Sequence, residues 1–276
     1  MQTRLSPSQT EYPTLTTDQL RAALLLESLF PPGRVELVYT DADRAIVGSA
    51  VPTSSPLKLT ADAELRAACF CERRELGVLN IGGHGAVAVD GQQFEMAKLD
   101  CLYVGRGSQN VSFTSSEAAS PAAFYLLSYP AHAAYPTRLA HLAEAAKVEL
   151  GTVADANRRT IHKYIHTGGI KSCQLVMGFT QLQEGSVWNT MPPHTHARRS
   201  EIYMYFDLSP SRRVVHFLGT PQQTRHLIMA DRQVVISPSW SIHCACGTGA
   251  YSFCWGMGGE NQTFEDMDPA PLDQLR

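Results

Sequence analysis

The chain has 276 residues, 44% of them hydrophobic and only 18% charged, which is enough apolar material for one large core or two smaller ones. A formal net charge of -3 argues against nucleic acid as a partner, since that footprint needs clustered Lys and Arg on a basic background. No apolar run approaches the roughly 20 residues that span a bilayer, and none of signal-peptide length follows Arg4, so a cytoplasmic protein with no membrane partner is expected.

The first predicted element is a helix. Thr16 and Gln19 have the spacing of a capping box, Leu20 to Phe30 carry apolar residues at helical intervals, and Pro31-Pro32-Gly33 stops the run. From there to Tyr129 the chain reads as short β segments between Gly, Pro, Asn and Asp: VELVYT, RAIVGSAV, LGVLNI, GAVAVDG, CLYVG, NVSFT and AAFYLLSY. Between Ala131 and Ala156 the sequence is alanine-rich, with Leu139, Leu142 and Ala145 at helical spacing, which predicts a partly helical connector. A second β series follows: TIHKYIH, CQLVMGFTQL, SVWNTM, EIYMYFD, RVVHFLG, RHLIMA, QVVISP and AYSFCWGM. The expectation is an all-β fold of two barrel- or sandwich-like domains, 1–150 with the connector and 151–276, preceded by one short helix. KLDCLYVGRG in the first half and MADRQVVISPSW in the second have a similar shape, so a duplicated barrel is the economical reading.

The second half carries the chemistry. In a strand, residues two apart face the same way, so His194 and His196 can converge on one ion while Thr195 points elsewhere. A turn through Ala197 to Ser200 then returns the chain with Glu201. The same period of two puts Tyr203 and Tyr205 on the ion's side and sends Ile202, Met204 and Phe206 to the other. His243 arrives from a distant segment introduced by Ser237-Pro238-Ser239-Trp240. Three imidazoles and one carboxylate suit a borderline divalent ion such as Zn, and also Fe, Mn, Co or Ni. In the first half, His84 stands alone between glycines, so it is expected in a turn and that domain is expected to be metal-free. The seven cysteines (69, 71, 101, 173, 244, 246 and 254) are scattered and odd in number, which fits reduced, packed thiols better than disulfides or a four-thiolate site. Met204, Tyr251, Phe253 and Trp255 are expected in a core or subunit interface.

H-x-H, then Glu, then Pro five residues before a His matches the two-part metal signature of the cupin barrels, with Trp240 standing where that pattern has Gly and Asp231 near its leading Gly. The resemblance goes further. RRELGVLNIGG, NRRTIHKY, WNTMPPHTHARRSEIYMYFD, PQQTRHLI and SPSWSIHCACGTGAYSFCWGMGGENQ together resemble the bacterial 5-keto-4-deoxyuronate isomerases of pectin breakdown, the 4-deoxy-L-threo-5-hexosulose-uronate ketol-isomerases. That resemblance covers essentially the whole chain. It implies two cupin-like domains, a homohexamer, one Zn2+ per subunit, and ligands at His194, His196, Glu201 and His243. It also implies conversion of 5-dehydro-4-deoxy-D-glucuronate to 3-deoxy-D-glycero-2,5-hexodiulosonate.

In such an isomerisation a divalent ion acts as Lewis acid and template for the two oxygens that exchange roles. Three neutral imidazoles and one carboxylate leave the site at a formal charge of about +1, which attracts an anionic uronate. Proton transfer needs a group in hydrogen-bond reach, and the candidates in order are Tyr203, Tyr205, Lys163 and His226; a hydride shift needs none. The substrate carboxylate needs a cation, for which Arg198, Arg199, Arg159 and Arg225 are the candidates, with Arg158 and Lys163 open to the same reading. One of Arg198 and Arg199 is expected to be an ordinary solvated charge. An Fe dioxygenase would use the same ligand set, and a non-catalytic sugar-binding cupin would keep the barrel without the chemistry.

Overall fold

The computed structural model describes residues 1–260, 263 and 266–276; the last two residues of the GGENQ segment lie outside them. Nearly all regular structure is β, in two sandwiches of the same plan. The first pairs a seven-stranded sheet, in the order Gln2–Arg4, Val35–Thr40, Ile46–Ala50, Phe124–Pro130, Arg74–Asn80, Cys101–Val104 and Arg138–Ala140, with a four-stranded sheet, Leu57–Leu59, Val111–Ser115, Gly85–Val89 and Gln92–Met96. The second pairs Ala146–Leu150, Arg159–Ile165, Val176–Leu182, Ser252–Gly259, Arg199–Phe206, Val234–Ser237 and Leu25–Leu26 with Trp188–Asn189, Cys244–Gly247, Val214–Thr220 and Gln223–Met229. Cys101–Val104 and Val234–Ser237, the strands of the two similar sequence segments, hold the same sixth place in their sheets.

Three apolar clusters follow from strand alternation. One fills the first sandwich (Val78, Val87, Phe113, Phe124), one lines the second (Tyr203, Tyr205, Leu218, Phe253), and the third lies between the two large sheets. In Arg199–Phe206 the period of two is plain: Tyr203 and Tyr205 belong to the interior of the second sandwich, while Ile202, Met204 and Phe206 pack against Leu127 and Tyr129 of the first. The large sheets meet closely enough that a Cβ on Gly258 would fall 2.4 Å from the Tyr129 ring, a contact no larger residue can make.

Two expectations are corrected. The helix begins as predicted, with both hydrogen bonds of the Thr16–Gln19 capping box, but it covers only Thr17–Leu24. Leu25–Leu26 leave it as a strand on Val234 and Val235, because Leu25 faces the second interior and Leu26 the inter-sheet core. A helix buries one stripe, whereas a strand between two cores buries successive residues on opposite sides. The connector is helical only over a single turn. Its helical content is one 3-10 turn, Leu142–Glu144, and the rest supplies Arg138–Ala140 to the first sheet and Ala146–Leu150 to the second.

Candidate metal centre and cavity

His194 stands in the short strand His194–Thr195, which pairs with Asp268–Pro269 near the C-terminus. His196 follows in the turn, Glu201 is the third residue of Arg199–Phe206, and His243 immediately precedes Cys244–Gly247. These four residues bring one ligand atom each within 4.8 Å of one another. One carboxylate oxygen of Glu201 lies 2.9 Å from Nε2 of both His196 and His243, and Nε2 of His243 lies 2.9 Å from Nε2 of His194. His196, Glu201 and His243 are buried and His194 is half-buried.

The outer hydrogen bonds orient the rings. Nδ1 of His196 donates to the carbonyl of Asp266, and Nδ1 of His243 points at the carbonyl of Ser241, 3.3 Å away. A carbonyl can only accept, so these outer contacts place Nδ1 of both rings outward and turn Nε2 towards the cluster. Burial, reinforced by the neighbouring imidazoles and Arg199, pushes the pKa of His194 down to about 3, which keeps it neutral. For Glu201 burial alone would favour the acid, but His243 and His196 outweigh it and hold the carboxyl well below its usual range. Three imidazole nitrogens and a carboxylate oxygen gathered this closely form a pocket of donors for a cation. Three nitrogens and one ionised oxygen are the donor set of a borderline divalent ion, so the residues fit such a group.

The cluster opens into a cavity of about 340 Å3. Its polar lining beyond His194, His196 and Glu201 includes Tyr203, Asn189, Thr190 and Arg159, and its apolar wall includes Phe253, Trp255 and Met257. Phe253 and Trp255 are core residues, as expected, and also form part of the cavity wall. The Tyr203 hydroxyl is 3.5 Å from that of Thr190, and burial keeps it protonated far above neutral pH. A larger hollow of about 460 Å3 lies beside the N-terminal helix, where Arg21 pairs with Glu27 and Arg4 binds the carbonyl of Ala22, and no histidine or cysteine lines it.

The remaining candidates separate. Tyr205 lies deeper, bonded at 2.7 Å to Nδ1 of His216, and does not line the cavity. Lys163 borders a different depression with Arg138, Glu144 and His166. His226 is exposed on Gln223–Met229, on the outer side of the second sandwich. Arg225 binds the carbonyls of Tyr12, Pro13 and Leu15, tying the N-terminal segment down. Arg158 is exposed, and Arg198 is exposed beside Glu260 at 3.6 Å. Arg199 is fully buried: its guanidinium binds the carbonyls of Thr263 and Asp266, and its Nε lies 3.3 Å from Nδ1 of His196. Of the proposed cations only Arg159 lines the cavity. His84 is an exposed turn residue, and all seven cysteines are free thiols.

His216, buried inside the same sandwich, was missed by sequence reasoning. Its signal was there: in VVHFLG, Val214, His216 and Leu218 share the inward face, so an imidazole had to lie among apolar side chains. Burial pushes its pKa down to about 3, and its Nε2 has no hydrogen-bond partner among the described residues.

A model of the KduI/IolB family matches residues 27–271. A 4-deoxy-L-threo-5-hexosulose-uronate ketol-isomerase of Lachnoclostridium phytofermentans is 51% identical over 276 residues, covering both chains completely. Another, of Opitutus terrae, is 52% identical over 278 aligned positions, again covering both. Among solved structures, an IolB-like protein of Salmonella typhimurium LT2 superposes with a TM-score of 0.71 at 14% identity, over 87% of this chain and 94% of that one. An oxalate decarboxylase of Lactobacillus farciminis superposes at 0.60 and 10% identity, over 87% of each chain. These two similarities establish the shared fold.

Proposed function

The chain belongs to the KduI/IolB family, and on that premise we propose that this isomerase is a metal-dependent ketol-isomerase converting 5-dehydro-4-deoxy-D-glucuronate to 3-deoxy-D-glycero-2,5-hexodiulosonate in the breakdown of pectin-derived uronates. One observation carries the reading: three imidazoles and a carboxylate converge at the floor of a cavity whose lining includes an arginine. Zn2+, one per subunit, is the proposed ion, held by His194, His196, Glu201 and His243. When bound there it supplies Lewis-acid polarisation and a template for two adjacent substrate oxygens.

The chain's own residues do the rest. Arg159, itself partly buried, pairs with the substrate carboxylate, which would otherwise be desolvated without a counter-charge. Tyr203 is a protonated phenol at the cavity surface, placed to donate a hydrogen bond or a proton where charge develops on oxygen. Phe253, Trp255 and Met257 exclude water from one side and so strengthen both interactions. Tyr205 and His216 hold Tyr203 from below through edge-to-face ring contacts. Arg199 is assigned to positioning: it binds the carbonyls of Thr263 and Asp266, and the Asp266 carbonyl is the one towards which His196 Nδ1 is oriented. The proposed setting is a cytoplasmic homohexamer acting on a small uronate.

The test is to supply the zinc-loaded protein with the unsaturated-uronate breakdown product in D2O and follow the 2,5-diketo acid by NMR. Deuterium entering the product marks proton transfer, and its exclusion marks a hydride shift. Oxygen uptake in place of isomerisation would transfer the site to the dioxygenase class, and tight sugar binding without turnover would make it a binding protein.

A further inference from the structure

We propose that the edge strand Ala146–Leu150 is a two-fold contact through which a second copy of this chain extends the large sheet of the second sandwich and completes the rim of the cavity. This strand ends its sheet: Arg159–Ile165 pairs with one side of it, and no strand pairs with the other among the described residues. All five of its residues are exposed, which leaves a row of backbone N–H and C=O groups in water. Its side chains are not those of a protected edge. Val148 and Leu150 are 36% and 41% exposed, and Val153 just beyond is 72% exposed.

The order A-K-V-E-L is what favours a second copy over any other occupant. In an antiparallel pair centred on Val148, Lys147 of each strand stands opposite Glu149 of its mate, Ala146 opposite Leu150, and Val148 opposite Val148. A two-fold axis requires this self-complementarity, since the same patch must serve on both sides. A lone lysine on an edge strand commonly blocks pairing, but here the glutamate two residues on neutralises it in this one register. A parallel pair in register would instead set lysine on lysine and glutamate on glutamate.

The contact reaches the site. Leu150 lies at the cavity and pairs in register with Arg159, and Val148 pairs with the cavity residue Ile161, so the apolar face of the strand continues the cavity wall outward. In the paired assembly Ala146 and Val148 of the second copy would extend that wall past Leu150, narrowing the mouth next to Arg159. This contact is independent of the proposed reaction, because it is read from the protein without substrate.

The test uses the full-length chain carrying Val148→Cys. Directly opposed residues in an antiparallel pair have Cα atoms about 4.5–5.5 Å apart, within disulfide reach. Mild oxidation should therefore give a covalent dimer on a non-reducing gel, absent from the unsubstituted protein with its own seven cysteines. Adding Lys147→Glu opposes like charges at two symmetric positions and should slow crosslinking roughly fivefold or more, and adding Glu149→Lys as well should restore it. Failure of Val148→Cys to crosslink, or a crosslinking rate indifferent to the charge swaps, overturns the proposal. A wild-type protein that sediments as a monomer at micromolar concentration overturns it too.

Discussion

Nε2 of His243 lies 2.9 Å from Nε2 of His194, and the same His243 nitrogen lies 2.9 Å from the Glu201 carboxylate. Two imidazole nitrogens that close beside a carboxylate make an arrangement that a divalent ion would stabilise. Elemental analysis is expected to give one equivalent of metal per chain, and none in folded His196→Ala or His243→Ala protein. With metal at about 1,000 times its dissociation constant, its contribution to stability is about 4 kcal/mol, so chelation should lower Tm by several degrees. Retention of a full equivalent by either variant would show that the ion, if bound, sits elsewhere.

Replacing Arg159 by Met should raise KM for the uronate by roughly 30-fold, equivalent to about 2 kcal/mol, with metal content unchanged. Arg198→Met, which removes an exposed charge beside Glu260, should leave KM near its starting value. Equal effects of the two substitutions would place the carboxylate elsewhere.

Tyr203→Phe should lower kcat by about 100-fold or more while the protein keeps its metal, as expected for loss of a proton donor at the reacting oxygen. Tyr205→Phe leaves the cavity lining intact and should act mainly on stability, because its hydroxyl bonds to His216 and not to ligand space. Kinetics of the two variants side by side distinguish these roles.

His216 is buried and neutral with a pKa near 3, against about 6.5 when the chain unfolds. The unfolded state therefore binds a proton that the folded state refuses, and stability must fall as pH drops from 6.5 towards 3. At pH 4 the loss from this one group is on the order of 3 kcal/mol. Thermal melts from pH 7 to 4 should show a shallower slope for His216→Phe than for the parent protein, whatever the substitution does to Tm at neutral pH. Identical slopes would contradict a neutral buried His216.

Arg199→Met should remove the guanidinium donor to the carbonyls of Thr263 and Asp266 and so loosen the partner of His196 Nδ1. Loss of such an outer orienting interaction weakens metal binding by about 10–100-fold, which competition with a chromogenic chelator measures directly.

The sequence by itself determined the strands of both halves, the capped start of the helix and the side of Arg199–Phe206 on which Tyr203 and Tyr205 lie, because the period of two and the capping spacing act within a few residues. His194, His196, Glu201 and His243 were legible for a related reason: two of them share one face of a short extended segment, and the other two stand at fixed points of a recognisable spacing. Tertiary structure decided what depends on pairing across the chain. Leu25–Leu26 became a strand because Val234–Ser237 offered an open edge more than 200 residues away. Arg199 is a buried anchor and not a surface charge because the carbonyls of Thr263 and Asp266, more than 60 residues away, accept from its guanidinium. Arg159 reaches the cavity while Lys163, on the same strand and with the same side-chain parity, does not, since four residues of extended chain carry it about 13 Å further along. Side-chain parity is a local property; distance from the metal centre along a strand is set only when the sheets close.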